Sequence, residues 1–390
     1  MTVASRRKPR PSSAAAADPS RAPCALVLQG GGALGAYQAG AYAAMAEADV
    51  QPQWVAGVSI GAINSALIAG NAPAKRVDRL REFWELVSSQ PAQQLPIWWG
   101  TRIWQNQFSA QAGMLSGIPG FFKPRLDPAL LLGVNAPLLS YYDTAPLKDT
   151  LERLVDFDLL NAGRDGLRFS VGAVDVCSGE SRYFSNHDPK HPITAAHVMA
   201  SGALPPGFAP IMLEGKGYWD GGLVSNTPLQ YVIDQPALQD MLVFQVDLFS
   251  ARGLLPRNLD EVTERAKDIQ YASRTRMNTD LVAAQQKLAE AAQRLADKLP
   301  PAYANDPDLK ALLNAGSCQA ITVMHLIHRS KHHAQQSKDY EFSRQTVREH
   351  WAAGRADVQA SFADPRWTGR QRKRGGITVL DLVPEPAAPA

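Results

Sequence analysis

Long hydrophobic runs are missing from this 390-residue chain. No uncharged apolar stretch approaches the about 18 residues that a membrane-spanning helix requires. Cysteine is scarce: Cys24, Cys177 and Cys318 are the only three, far apart and inside apolar stretches. That spacing predicts buried, reduced thiols and leaves no disulfide framework or metal knuckle, so no metal or cofactor is called for. A basic surface is lacking too. The formal charge of +3 arises in residues 1–22, where Arg6, Arg7, Lys8, Arg10 and Arg21 face Asp18 alone; the remainder is essentially neutral. A nucleic-acid partner needs a basic face on a folded surface, not a basic tail, and is excluded. Ala14 to Ala17 are too short for the apolar core of a secretory signal, about 7–15 residues. The expected compartment is the cytoplasm.

What is there describes a globular protein, 45% hydrophobic and 20% charged. The length predicts one large domain with an appendage, or two domains. Residues 1–22 are rich in Ala, Pro and Ser and read as a disordered tail. A main domain is expected over 23–250, and a mainly helical extension over 251–390. CALVLQ (24–29) is a core-strand candidate, and the residues after Ala33 form a helix with Leu34, Tyr37, Ala41 and Met45 near one face. WVAGVSIGAINSALIAG repeats strand, turn and helix, which predicts βαβ units and an α/β fold, a mostly parallel sheet sandwiched by helices. RFSVGAVDV and SRYFS form a hairpin. LVFQVDLF, AITVMHLIHR and ITVLDLV are further strands. The charged stretch 258–299 predicts a solvent-flanked helix or helix pair.

Three constellations carry chemistry. Gly57-Val58-Ser59-Ile60-Gly61 is a G-x-S-x-G sequence between an apolar strand and an apolar helix. Glycines must flank the serine because the elbow is too tight for side chains, and the turn exposes the serine oxygen at the sheet edge. A glycine-rich turn with a capping serine is the ordinary alternative. Gly30-Gly31-Gly32 ends the preceding strand, where consecutive N–H groups can form an anion nest at a helix start. The anion is either a phosphate or the oxyanion of ester attack, for which losing one donor typically costs about 3–4 kcal/mol. The dinucleotide reading wants an acidic residue at the end of the next strand; Asp49 precedes that strand, and no Lys follows the glycines for a Walker site. Asp220, before Gly221-Gly222, is either an Asx-turn residue or a base for Ser59.

GGGALGAYQAG, GVSIG and DGG, in that order, resemble the patatin-like phospholipase family, and VMASGALPPGFAPI and DVCSGESRYFS extend the resemblance over about residues 23–235. It implies a Ser–Asp dyad without histidine: Ser59 as nucleophile, Asp220 as base, and Gly30, Gly31 and Gly32 as oxyanion donors. Many members carry a basic residue inside the glycine motif, where this chain has Ala33-Leu34. The resemblance implies a phospholipase-like acyl hydrolase that cleaves carboxylic esters of lipids. An ordinary aspartate is a weak base for a hydroxyl, so slow turnover or a carboxyl raised by burial is expected.

Two rival readings stand beside it. A Ser–His–Asp triad could draw on His325 or His328, and a non-enzymatic protein could hold a nucleotide phosphate on its glycine turns. The aromatic segment 97–122, with Trp98, Trp99, Trp104, Phe108, Phe121 and Phe122, reads either as a flap that touches a membrane surface or as core packing. Pro205, Pro206 and Phe208 are the candidates for the same substrate pocket.

Overall fold

In the computed structural model the structure describes residues 23–90, 115–125, 139–162, 166–235, 240–273, 275–300, 305–314, 320–329, 338–370 and 376–383, with Ser109, Ala112, Gly113 and Tyr303. The tail 1–22, Trp98, Trp99, Trp104, Phe108 and Cys318 lie outside the described residues.

The strands are β1 (Cys24–Leu28), β2 (Trp54–Val58), a short pair β3 (Lys123–Pro124) and β4 (Tyr142–Asp143), β5 (Arg168–Asp175), β6 (Ser181–Ser185), β7 (Ile211–Leu213), β8 (Lys216–Asp220), β9 (Met241–Asp247), β10 (Ala320–Ile327) and β11 (Gly376–Asp381). The helices that matter below are α1 (Gly35–Glu47), α2 (Ile60–Ala69), α3 (Arg76–Val87), α4 (Ala145–Leu154), α5 (Ala195–Ser201), α6 (Leu259–Tyr271), α7 (Thr275–Ala296), α8 (Pro307–Asn314) and α9 (Arg344–Ala363). The main sheet runs β11-β10-β9-β1-β2-β5-β8-β7, with β6 paired to β5. From β11 to β5 neighbouring strands are parallel; β6 and β8 are antiparallel to β5, and β7 to β8.

Alternation along the strands divides the core between the two faces of the sheet. Leu26, Leu28, Phe244, Val246, Met324 and Leu326 join the larger cluster with α1 to α4 and α9. Ala25, Val27, Val243, Ile321 and Val323 face the other way, onto Leu229 and Val232. Residues beyond 250 are mainly helical, as expected, and they also extend the sheet: β10 pairs with β9 from Ile321↔Met241 to Ile327↔Asp247.

Three expectations change. Helix α1 is buried from Gly35 through Met45 on every side, not along one face, because α9 covers the side away from the sheet. The two helices meet glycine to backbone: a Cβ on Gly40 would stand 2.0 Å from the Trp351 carbonyl oxygen, and one on Gly354 2.0 Å from that of Tyr37. Cys24 is buried, and burial pushes its thiol up to about 12. Cys177, by contrast, is exposed in the turn between β5 and β6, where its N–H donates to Asp175; a hairpin turn follows the apolar strand there. The charged stretch does form a helix pair, α6 and α7, with most of its described residues exposed, but one face of α6 is not solvent-flanked: Glu264, Lys267 and Asp268 are ion-paired and mostly covered there.

Candidate active site

In a parallel sheet, the turns that follow the strands share one edge, and a crevice opens where successive connections leave in opposite directions. Here β1 has β2 on one side and β9 on the other. The glycine turn follows β1, Ser59 follows β2, and the chain leaves β9 through Leu248 and Phe249. All three gather at that edge.

Ser59 has φ 55° and ψ −124°, a backbone conformation costly for a residue with a side chain. Its flanks explain the glycines: a Cβ on Gly57 would lie 2.2 Å from the Gly61 carbonyl oxygen, and one on Gly61 2.3 Å from that of Leu28. The Ser59 N–H donates to Ser201 Oγ at 2.9 Å, and the Ser201 hydroxyl donates to the Gly172 carbonyl at 2.5 Å. Ser201, the last residue of α5, is fully buried and thereby ties the elbow to β5.

The register of β5 brings Asp220 to Ser59. Gly172 pairs with Val58, the last residue of β2, and the next residue, Ala173, pairs with Asp220, the last residue of β8. One strand edge thus carries β2 and then β8, and their ends meet. The Ser59 hydroxyl lies beside the Asp220 carboxylate and favours its charged form, and Asp220 Oδ1 accepts the Gly222 N–H at 2.7 Å. Asp220 is 2% exposed. Burial lifts its carboxyl from 3.8 to about 6, against the opposing pull of the Ser59 hydroxyl and the Gly222 N–H. The turn-capping role and the contact with the serine therefore coexist. A carboxylate so placed can accept the serine proton.

The glycine turn lies against this pair. A Cβ on Gly30 would come 3.0 Å from Ser59 Cβ and 2.3 Å from Asn226 Oδ1. Gly32 has φ +56°, and a Cβ there would fall 2.2 Å from the Asp339 carbonyl oxygen. The Gly30 N–H donates to the Asn226 carbonyl at 3.1 Å, and Asn226 Nδ2 donates back to the Gly30 carbonyl at 3.1 Å. Gly30 thus differs from its expected role: its N–H is committed to Asn226, while Gly31 and Gly32 start the turn into α1. The sequence reading missed Asn226 and Ser201. Their signals are faint: a Ser-Asn-Thr run after Gly221-Gly222, and one serine inside an already suspect segment.

The remaining candidates separate. Ala203, next to the elbow support, accepts the Asp220 N–H at 3.0 Å. Beyond it, the Pro206 and Gly207 carbonyls accept the Tyr141 and Tyr142 N–H groups. Phe208 packs with Phe121, Phe122 and Tyr142 in an aromatic cluster, ring centroids 5.4–6.2 Å from it. Phe121 and Phe122 thus pack into that cluster, while most of the segment 97–122 lies outside the described residues. The two candidate histidines are engaged elsewhere. His325 Nε2 lies 2.5 Å from Asp247 Oδ2, on a strand three steps from β2, about 14 Å at the usual strand spacing. His328 is buried, stacked on Tyr37 and edge-on to His350.

The chain belongs to the patatin-like phospholipase family, whose sequence model matches residues 26–233, more than half its length. A second model, described as patatin phospholipase, matches residues 269–374. Membership makes the protein a lipid hydrolase. Among solved structures, VipD from Legionella pneumophila is 14% identical with a TM-score of 0.34, over 84% of this chain and 67% of that one. A chain of the SpcU–ExoU complex from the type III secretion system of Pseudomonas aeruginosa is 16% identical with a TM-score of 0.29, over 88% and 80%. No curated protein matches the chain.

Proposed function

We propose that the protein hydrolyses carboxylic esters of lipids through an acyl-enzyme on Ser59, with Asp220 as the base. The observation that carries this is the register of β5, which brings the end of β8, with the buried Asp220 carboxylate, to the end of β2, where Ser59 follows. Ser59 Oγ attacks the ester carbonyl carbon while Asp220 takes the hydroxyl proton. The carbonyl oxygen becomes an oxyanion, held by the N–H groups of Gly31 and Gly32; Gly30 shapes the turn instead of donating. Collapse breaks the bond to the leaving alcohol, which receives the proton from Asp220. Water then attacks the acyl-enzyme with Asp220 again as base, and the fatty acid leaves. No cofactor enters this sequence.

Residues 23–250 hold the reacting groups, and 251–390 brace them. The triad reading is disfavoured by His325, which pairs with Asp247 three strands away from β2.

Peripheral contact with a membrane, by a protein otherwise in the cytoplasm, completes the reading. Leu254 and Leu255, exposed on the loop that leaves β9 at the edge holding Ser59, support it. Among the described residues no helix is long and apolar enough to cross a membrane. Liposome co-sedimentation should weaken in Trp98/Trp99→Ala; unchanged binding removes that segment from the contact.

The decisive experiment is labelling with a fluorophosphonate probe, followed by phospholipid, neutral glyceride and hydroxyalkanoate polymer as substrates. Wild type should label and Ser59→Ala should not. Equal labelling of both ends the proposal.

A further inference from the structure

Three consecutive glycines have no side chains with which to hold their own conformation, and glycine has the most backbone freedom to lose. The turn from Gln29 to Ala33 must therefore be fixed from outside. Two of its fixings come from beyond residue 250. The Tyr271 carbonyl, at the end of α6, accepts from both Gln29 Nε2 at 3.0 Å and Asn226 Nδ2 at 3.1 Å, one on either side of Gly30. The Asp339 carbonyl accepts the Ala33 N–H at 2.8 Å and lies directly over Gly32, where only a missing Cβ allows it.

Something must in turn hold Asp339. Helix α6 presents Glu264, Lys267, Asp268 and Tyr271 at i, i+3, i+4 and i+7, one face of the helix. Lys267 Nζ meets Asp339 Oδ1 at 2.5 Å, and Lys338 Nζ lies between Asp268 (2.6 Å) and Glu264 (3.1 Å). The five side chains are between 6% and 19% exposed. Screening by water is weak there, and breaking such a pair from one side leaves a charge stranded. Lys267 also lies over the Tyr340 ring, 4.7 Å from its centroid. The two segments are thus locked together over the glycine turn.

We propose that Lys267 and Asp339 are positioning residues that hold the Gly31 and Gly32 N–H groups in register with Ser59. The inference rests on the assignment of those groups as oxyanion donors. It makes the region beyond 250 part of the hydrolytic machinery, although Lys267 and Asp339 act through the glycine turn and not on the reacting bond. Donors aimed at a developing charge act on the transition state, so a loosened clamp lowers kcat and leaves KM alone.

The test is steady-state hydrolysis of a p-nitrophenyl ester of butyric acid by the full-length chain. Lys267→Met should lower kcat about 10- to 100-fold with KM within about twofold, and Lys267→Arg should regain most of the loss. Asp339→Asn, nearly the same size, should lose kcat similarly. The double variant should be no worse than either single one, since both remove the same link. If Lys267→Met fails to fold, Asp339→Asn and Lys267→Arg carry the comparison. A folded Asp339→Asn with wild-type kcat, additive losses in the double variant, or losses that Lys267→Arg does not relieve overturn the clamp. Ser59→Ala measured alongside separates the two claims: residual activity there defeats the dyad itself, whereas a dead Ser59→Ala beside a fully active Asp339→Asn defeats only the clamp.

Discussion

Asp220 is a carboxylate held where water is scarce, and the consequences can be measured. As the proposed base it must be ionised to accept the serine proton, so kcat/KM should rise with pH, inflect near 6, and fall about tenfold per unit well below that. A profile of ester hydrolysis from pH 4.5 to 8 checks this; an inflection near 4 would mean that the base is an ordinary exposed carboxylate. The same shift bears on stability. With a folded-state value above the unfolded one, the folded protein binds the proton more tightly, so stability falls as pH rises from about 4 to about 6. The shift from 3.8 to about 6 corresponds to a cost on the order of 3 kcal/mol above that window. Asp220→Asn should therefore be inactive yet melt higher than wild type at pH 8, with the difference closing below pH 4. Equal melting temperatures at both pH values would count against a buried, charged Asp220. Ser201 gives a second residue-scale outcome. Ser201→Ala leaves the Ser59 N–H and the Gly172 carbonyl without their shared partner, a loss of about 1–3 kcal/mol, and should also lower kcat. Chemical denaturation and ester hydrolysis of the same preparation read both.

At the scale of elements, the elbow and the α1–α9 crossing obey the same steric rule with different legibility. Gly57 and Gly61 announced themselves because their clashes are with residues four apart or on the adjoining strand, and the G-x-S-x-G spacing encodes that. Gly40 and Gly354 carried no such signal. Each opposes backbone more than three hundred residues away in sequence, and neither helix shows what it packs against. Gly354→Val should destabilise by about 3 kcal/mol or more, since a branched side chain would be driven into the Tyr37 carbonyl. Thermal melting tests it; an unchanged midpoint would mean that the two helices can part at little cost. α1 looked one-faced in the sequence because small residues do not reveal whether a second layer covers them. The covered face of α6 was not legible because charge pattern alone cannot distinguish ion pairs across a tertiary contact from charges that face water.

For the whole molecule, the change in composition near residue 250 is not a break in the core. Phe244 on β9 packs against Phe362 and Trp367, and β10 covers the edge of β9 that residues 23–250 alone would leave open. A chain cut after Ser250 should consequently yield little soluble protein, because an unpaired hydrophobic strand edge favours aggregation. Soluble expression and circular dichroism of the truncated chain check it, and a folded, active 1–250 fragment would show that the two parts are independent. The sequence by itself determined the alternation of strand and helix, the elbow and the glycine turn, because these follow from steric limits and hydrogen-bond needs within a few neighbouring residues. Only the tertiary structure decided that Asp220 meets Ser59, that His325 does not, and that Asp339 covers Gly32. Those pairings depend on which strand ends share an edge of β5 and on how two distant segments close over one turn, and no local spacing records either.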